Sequence, residues 1–155
     1  MCVAIDCLWG PASINPEAFP GAAVRFAIAQ LPPWLHDVTC HYQWSSSAGV
    51  KGWSELKLHL WFWLDRPVES DALKAWAKPL IVDGTLFHPV QVHYTAAPIF
   101  EGALDPVAAR SGLIRGDRDE AVVPESVWRW AEIEEARLAE AAKARAERAA
   151  KLGRF

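Results

Sequence analysis

The sequence lacks any long apolar run. No stretch reaches the roughly 18 apolar residues that a membrane span needs. The first residues also do not place basic side chains ahead of an apolar segment, as a secretory leader would. We therefore expect a cytoplasmic protein with no membrane partner.

Cysteine is scarce, with three residues in a chain of 155. An odd number argues against the disulfide framework of a small secreted protein. Cys2, Cys7, Cys40 and the adjacent His41 would make a zinc-ligand set, but their spacing is poor for a zinc site. Reduced, buried thiols are the favoured interpretation.

The chain has no excess of positive charge, because its net charge is −3. Affinity for nucleic acid would therefore have to come from a local basic patch. The sequence also has no Gly-x-Ser-x-Gly motif, so a hydrolase nucleophile of that type is poorly supported.

Tryptophan is abundant, with nine residues, and 52% of the chain is hydrophobic. A chain of this length and composition can bury one substantial core. So many indoles indicate either a bulky core or an exposed aromatic surface that stacks on a ligand.

Apolar periodicity, proline and glycine divide the chain into alternating strands and helices. Ser70 is the expected N-cap of the second helix, and the last helix follows Pro124 and ends near Gly153. We expect one core domain over residues 1–123 and a charged, alanine-rich helix over 124–155. The predicted strands are 3–9, 38–44, 57–65 and 90–96, and the predicted helices are 20–30, 67–80 and 124–152.

The stretch "SELKLHLWFWLDRPV" (54–68) alternates between two kinds of side chain. Its core-type residues are Leu58, Leu60, Phe62 and Leu64. The other face carries Lys57, His59, Trp61, Trp63 and Asp65. Because burying the charged set without partners would be costly, we expect a sheet with one covered face and one open face. The fold class is then α+β, an RRM-like two-layer sandwich with a mixed or antiparallel sheet and a long C-terminal helix.

Three segments carry a family resemblance: "HYQWSSSAGV", "LKLHLWFWLDRPV" and "IVDGTLFHPVQVHYTAAPIF". They resemble the catalytic core of archaeo-eukaryotic-type primases, and the most similar kind is the primase-polymerase domain of bacterial mobile elements, phages and plasmids. The resemblance covers roughly residues 1–124. It implies an RRM-like sheet with three motifs, and a chain that corresponds to a domain shortened at its N-terminus.

The resemblance implies metal-dependent nucleotidyl transfer with Mg²⁺ or Mn²⁺. Position by position, His59 corresponds to a histidine that contacts the incoming nucleotide. Asp83, in Val82-Asp83, corresponds to a metal ligand, and Asp6 lies where the first acidic motif belongs. That motif is degraded, because Leu8 replaces its second acid, and Lys57 stands where the family commonly has serine. The implied partners are nucleoside triphosphates, a DNA template and a helicase or other replication protein.

Several side chains could add contacts to nucleotide or nucleic acid. Lys57 and Trp61 share the face of His59, and His93 is expected on that face too, although a plain surface histidine is an equal alternative. Arg110, Arg115 and Arg118 are candidates for phosphate contacts. Nearby acidic residues (Asp117, Asp119 and Glu120) dilute that charge, and this favours a solvated loop. Asp83 precedes glycine, so a turn role competes with metal binding.

Two other functions stay open at this point. The scaffold could be a non-catalytic module that binds nucleic acid or a replication partner, which Leu8 favours. Alternatively, the tryptophan-rich face and the C-terminal helix could form an oligomer interface in an unrelated interaction protein.

Overall fold

A computed structural model describes residues 1–152, with side chains at all of these positions except 131, 151 and 152. The expected end of the last helix at Gly153 lies outside the described residues. The elements are β1 (Cys2–Trp9), α1 (Pro20–Ala29), β2 (Cys40–Trp44), β3 (Glu55–Phe62), α2 (Ser70–Ala77), β4 (Ser111–Ile114) and α3 (Glu125–Leu152), with short 3-10 turns at Pro33–Leu35 and Gly84–Phe87.

The four strands form one antiparallel sheet in the order β1-β3-β2-β4. The chain order β-α-β-β-α-β is that of a split β-α-β sandwich. The two-layer α+β fold and the long C-terminal helix are therefore as the sequence predicts.

One face of the sheet carries the core. On β3 the buried side chains alternate with half-buried ones, as expected for a strand with two different faces. Cross-strand neighbours on the covered face are all apolar, for example Ile5, Leu58 and Trp44 in adjacent strands. The buried residues of α1 join the same hydrophobic cluster, as do Leu73, Trp76 and Ala77 of α2.

The two core helices begin and end close to the predicted positions. Pro20 starts α1, where its missing N–H is not needed, and the helix ends before Pro32-Pro33. Ser70 was predicted as the N-cap of α2, which is wrong by one residue. Ser70 is the first helical residue, and Glu69 takes the cap position without a side-chain cap bond.

The C-terminal helix α3 contacts α2 through its first half. Val127 is fully buried there. Glu134 accepts hydrogen bonds from Arg137 and from Lys78 of α2, and these bonds lower the pKa of Glu134 to about 2. Every described side chain from residue 135 onward is exposed, so the second half of α3 extends beyond the core.

The predicted strand over residues 90–96 is wrong, since this stretch has no regular secondary structure. The fourth strand is Ser111–Ile114, which pairs with β2. With respect to membranes, none of the helices within residues 1–152 is both long and apolar enough to span a bilayer.

Candidate nucleotide-binding face

The face opposite the helices, which we call the open face, presents two rows of side chains across the sheet. In the outer row Cys2, Trp61, His41 and Leu113 are successive cross-strand partners. The Trp61 ring lies 5.4 Å from that of His41 and 5.7 Å from that of His59. His41 and Leu113 are exposed, so this row is accessible to a planar ligand.

The inner row, next to the outer one, contains Ala4, His59, Gln43 and Ser111. Here Ala4 and Gln43 are buried although no helix covers this face. Residues 91–98, which we call the crossing segment, lie over this row, and Gln43 Nε2 donates a hydrogen bond to the Thr95 carbonyl at 3.1 Å. The open face is thus open at the outer row and partly covered at the inner row.

A cavity of about 250 Å³ lies between the crossing segment and the sheet, and we call it the His59 cavity. His59 from β3 and His93 from the crossing segment both line it. His93 Nδ1 is buried without a hydrogen-bond partner among the described residues. Because buried polar atoms normally find a partner, this nitrogen is available to a bound ligand.

His59 lies where several charges meet. Burial lowers its pKa below the ordinary value of 6.5, the charge of Asp6 raises it, that of His93 lowers it, and that of Asp83 raises it. The balance favours a neutral imidazole at pH 7. The charges of Asp6, Asp83 and His93 therefore act on His59, although the sequence separates these residues by up to 87 positions.

Asp83 is held beside β1, because its backbone N–H donates to the Ala4 carbonyl at 3.0 Å. Its carboxylate also caps the turn Gly84–Phe87: Oδ1 accepts from the Thr85 amide at 2.9 Å and Oδ2 accepts from the Thr85 hydroxyl at 2.7 Å. The turn role weighed from the sequence is thus present. Each carboxylate oxygen keeps acceptor capacity for a second partner.

Asp6 lies in an irregularity of β1. The pairing with β3 shifts between Ile5, which faces Leu58, and Leu8, which faces Leu56. Asp6 and Cys7 together occupy the place opposite Lys57, as in a β-bulge, and both are exposed.

The three thiols were expected to be buried. Cys40 is buried, Cys2 is partly buried and Cys7 is exposed.

The bulge changes the meaning of Leu8. Position 8 was expected to share a strand face with Asp6, as residues two apart do in a regular strand. Instead the Leu8 side chain packs against the core. An acid at this position would therefore point away from Asp6 and would not share a strand face with it.

The described residues do not form a metal centre by themselves, because they contain no group of three or more Asp, Glu, His or Cys side chains that could hold a metal ion. Mg²⁺ is often held by one or two carboxylates together with substrate phosphates. Asp6 and Asp83 are the carboxylates whose charges act on His59, so they would be the ligands of such an ion.

A second cavity adjoins Asp83 and was not anticipated from the sequence. It has a volume of about 620 Å³, within the usual range for small-molecule sites, and we call it the lysine cavity. Lys74 and Lys78 line it from α2, four residues apart on one helix face, and His88 and Gln91 line the opposite side. Gln91 also lines the His59 cavity, so the two cavities are neighbours.

Arg110 was predicted to contact phosphate, and the structure places it in the protein interior. Only 8% of it is exposed, and its guanidinium forms a bidentate ion pair with Asp105 at 2.7 and 2.6 Å. Its Nη1 donates to the Ser45 carbonyl at 2.6 Å, and its guanidinium carbon lies 5.3 Å from the centre of the Phe100 ring. This arginine anchors a loop to the end of β2.

The remaining residues predicted to contact nucleotide or nucleic acid are Lys57, Trp61 and Arg115, and they lie in three different places. Lys57 is half-buried opposite the bulge, with its ammonium 3.5 Å from the Glu55 carboxylate. Trp61 lies in the outer row beside His59. Arg115 follows β4, is exposed, and lines neither the His59 cavity nor the lysine cavity.

Comparison of the chain with known protein families, with curated proteins and with solved structures finds no match.

Proposed function

We propose that this chain is a primase-polymerase-like domain that binds a nucleoside triphosphate and nucleic acid on the open face. The observation that carries the proposal is that His59 and His93 line one small cavity, while the charges of Asp6 and Asp83 act on His59. These residues come from two strands and two connecting segments, so no single local motif accounts for their proximity.

The nucleotide would use the two neighbouring cavities. The phosphates would lie in the lysine cavity, which Lys74, Lys78 and His88 line beside Asp83. Lys74 is ion-paired with Asp71 and Lys78 with Glu134, and each ammonium group has further N–H donors for a phosphate oxygen. His59 and His93 would contact the sugar or the adjoining phosphate from the smaller cavity. A neutral His59 can donate one hydrogen bond to a phosphate oxygen, and the bound anion would favour its protonation.

Single-stranded nucleic acid would bind along the outer row. Trp61 and His41 form a tilted aromatic pair on an accessible part of the sheet, and bases of any sequence can stack on such side chains. Stacking of this kind contributes about 1–3 kcal/mol per base.

A divalent ion would be held by Asp6 and Asp83. It would neutralise phosphate charge and polarise the reacting phosphoryl group. The chain's own residues hold the nucleotide and orient it. Nucleotidyl transfer would need further metal ligands, since the described residues contain no group of three or more Asp, Glu, His or Cys side chains that could hold a metal ion.

The first test is calorimetric titration of a nucleoside triphosphate with and without Mn²⁺. Asp83→Asn keeps an acceptor for the Thr85 amide but removes the negative charge. With Mn²⁺ we expect binding at least tenfold weaker than in the wild type. Without metal we expect equal or tighter binding, because a carboxylate close to the phosphates repels them.

Asp119→Asn is the matched control, since Asp119 is exposed and lines neither cavity. It should behave as the wild type under both conditions. His59→Gln should weaken binding in both. The proposal is wrong if the wild type, shown to be folded, binds no triphosphate, or if neither His59→Gln nor Asp83→Asn changes the affinity.

The main alternative is a non-catalytic module on the same scaffold, which binds nucleic acid or a replication partner. The core-facing side chain of Leu8 and the absence of a three-ligand group within the described residues favour it. Primer extension by the variant Cys7→Asp distinguishes the two. This substitution adds a carboxylate to the exposed side of the bulge, so a weak enzyme should gain activity, whereas a binding module should stay inactive.

A further inference from the structure

A third pocket shares no lining residue with the lysine cavity. It has a volume of about 240 Å³ and is formed by the second half of α1, the loop before β2 and the end of β4. We call it the arginine pocket. Its lining residues include Arg25, His36, Asp37, Arg115 and Gly116.

The arginines of this pocket differ in their ion pairing from Arg66 and Arg110 of the core domain. Arg66 and Arg110 are ion-paired with carboxylates. Among the described side chains, neither Arg25 nor Arg115 has a carboxylate partner. Their guanidinium groups come from elements 90 residues apart, and the fold brings them to one cavity.

Hydrogen bonds to carbonyls hold the basic groups in place without neutralising them. Arg25 Nη2 donates to the Arg115 carbonyl at 3.3 Å, and Arg118 Nη2 donates to the His36 carbonyl at 3.1 Å. His36 Nε2 lies 2.8 Å from the Leu31 carbonyl and must carry the proton, because a carbonyl only accepts. Its Nδ1 becomes a further donor when the ring is protonated.

The backbone around the pocket is unusually constrained. Asp37 has φ of 54°, a left-handed conformation that is uncommon for residues other than glycine. A Cβ at Gly116 would lie 2.2 Å from the Asp37 carbonyl oxygen, so the two backbones touch. Two backbone hydrogen bonds join the same segments, Arg118 N–H to Asp37 O at 3.1 Å and Thr39 N–H to Arg118 O at 2.7 Å.

The charge balance favours an anion. Three guanidinium groups lie in the pocket or at its rim, against the single carboxylate of Asp37 in its lining. Asp117 and Asp119 belong to the same loop but do not line the pocket. Guanidinium groups match phosphate oxygens in geometry as well as charge, and strained backbone tends to occur at functional sites.

We propose that the arginine pocket binds a phosphate group through Arg25 and Arg115, with Arg118 as a supporting donor and His36 as a neighbour that reports on binding. The phosphate is either that of a nucleic-acid backbone or a free inorganic phosphate. The assignment of this phosphate to a nucleic-acid backbone rests on the proposed function, whereas the assignment of a phosphate site to the pocket does not. A strand that reached it would pass the exposed end of β4 from the open face.

The test uses the full chain, with inorganic phosphate and a 12-nucleotide single strand of thymidines as separate probes. In Arg25→Gln/Arg115→Gln we expect phosphate affinity to fall at least tenfold. The matched control is Arg129→Gln/Arg145→Gln, which removes two exposed α3 arginines and should leave phosphate affinity unchanged. Urea unfolding of both variants establishes that they are folded.

The oligonucleotide decides the source of the phosphate. If it is a nucleic-acid strand, the double variant should also weaken oligonucleotide binding, and the slope of log affinity against log salt should shrink by about 0.7 per lost phosphate contact. If only inorganic phosphate binding is lost, the site takes free phosphate. Unchanged binding of both probes overturns the proposal.

A second readout is independent of substitutions. Titration of inorganic phosphate into the wild type, followed by NMR of the histidine rings, should shift His36 before His59. Saturation of His59 and not His36 would also overturn the pocket assignment. A failure of nucleoside triphosphate to bind at the His59 face would leave this result intact, so the two proposals fail separately.

Discussion

Replacing Arg110 should destabilise the fold and leave ligand binding nearly unchanged. Removing one partner of a fully buried ion pair costs about 3–5 kcal/mol. The Arg110 side chain is 7% exposed but the Asp105 side chain is 32% exposed, so water compensates part of the loss. For Arg110→Met we expect a decrease of about 2–3 kcal/mol in the free energy of unfolding. This corresponds to roughly 5–10 °C in Tm for a chain of this size.

Urea unfolding followed by tryptophan fluorescence measures this loss. Asp105→Asn should lower the free energy of unfolding by less, because Asn can still accept the hydrogen bond that the Val107 backbone N–H donates to Asp105 at 2.8 Å. The double variant should be less destabilised than the sum of the single ones, because the two side chains interact directly. Arg115→Met, at an exposed position, should change the free energy of unfolding by less than about 0.5 kcal/mol.

Acid provides a further check on the same pair. Hydrogen bonds from Arg110 lower the pKa of Asp105 below its ordinary value of 3.8. A carboxyl with a lowered pKa stabilises the folded state above its unfolded pKa and loses that contribution as the pH falls through the folded pKa. Below about pH 4 the free energy of unfolding of the wild type should therefore fall. That of Arg110→Met should fall less, because the variant already lacks the ion pair. A variant as stable as the wild type, with weakened oligonucleotide binding, would refute the structural role and restore the phosphate role.

Three other perturbations follow from the structure. Gly116→Ala should be severely destabilising, by about 3 kcal/mol or more, because the added Cβ meets backbone atoms that have little freedom to move. Gly21→Ala, at a helical position where the added Cβ meets nothing within 4 Å, should instead stabilise by about 0.5–1 kcal/mol in the same urea assay. Because burial lowers the pKa of His59, the folded state resists its protonation, and stability should fall as the pH drops below about 6.5. In His59→Gln the change in Tm between pH 7.5 and 5.5 should be smaller; an equal change would contradict a lowered pKa.

The sequence predicts the sheet well because each strand carries its own pattern. The alternation of leucine and polar side chains in β3 correctly assigns both faces, and it places His59 beside Trp61. The pattern of a single segment does not show whether that segment pairs with a neighbouring strand. Residues 90–96 have the composition of a strand, but no edge of the sheet receives them, and they lie across the open face.

The candidate site shows a second limit of sequence reasoning. Spacing along a strand predicts a common face only while the ladder is regular, and the bulge at Asp6-Cys7 turns Leu8 toward the core. Nothing in the residue types of β1 reveals the extra residue. The lysine cavity was missed for another reason: Lys74 and Lys78 look like ordinary solvent-exposed helix residues until the turn after α2 folds beside them.

The crossing segment also has a kinetic consequence. Over residues 91–98 there is one backbone–backbone hydrogen bond, from the Gln91 N–H to the His88 carbonyl. Segments of this kind open locally at much lower free energy than a core strand does. A ligand in the cavity beneath would leave faster when the segment lifts, so a change in the opening rate of residues 91–98 would change its residence time. The aromatic row outside would exchange its ligands freely, and the two parts of one sheet face would work on different timescales.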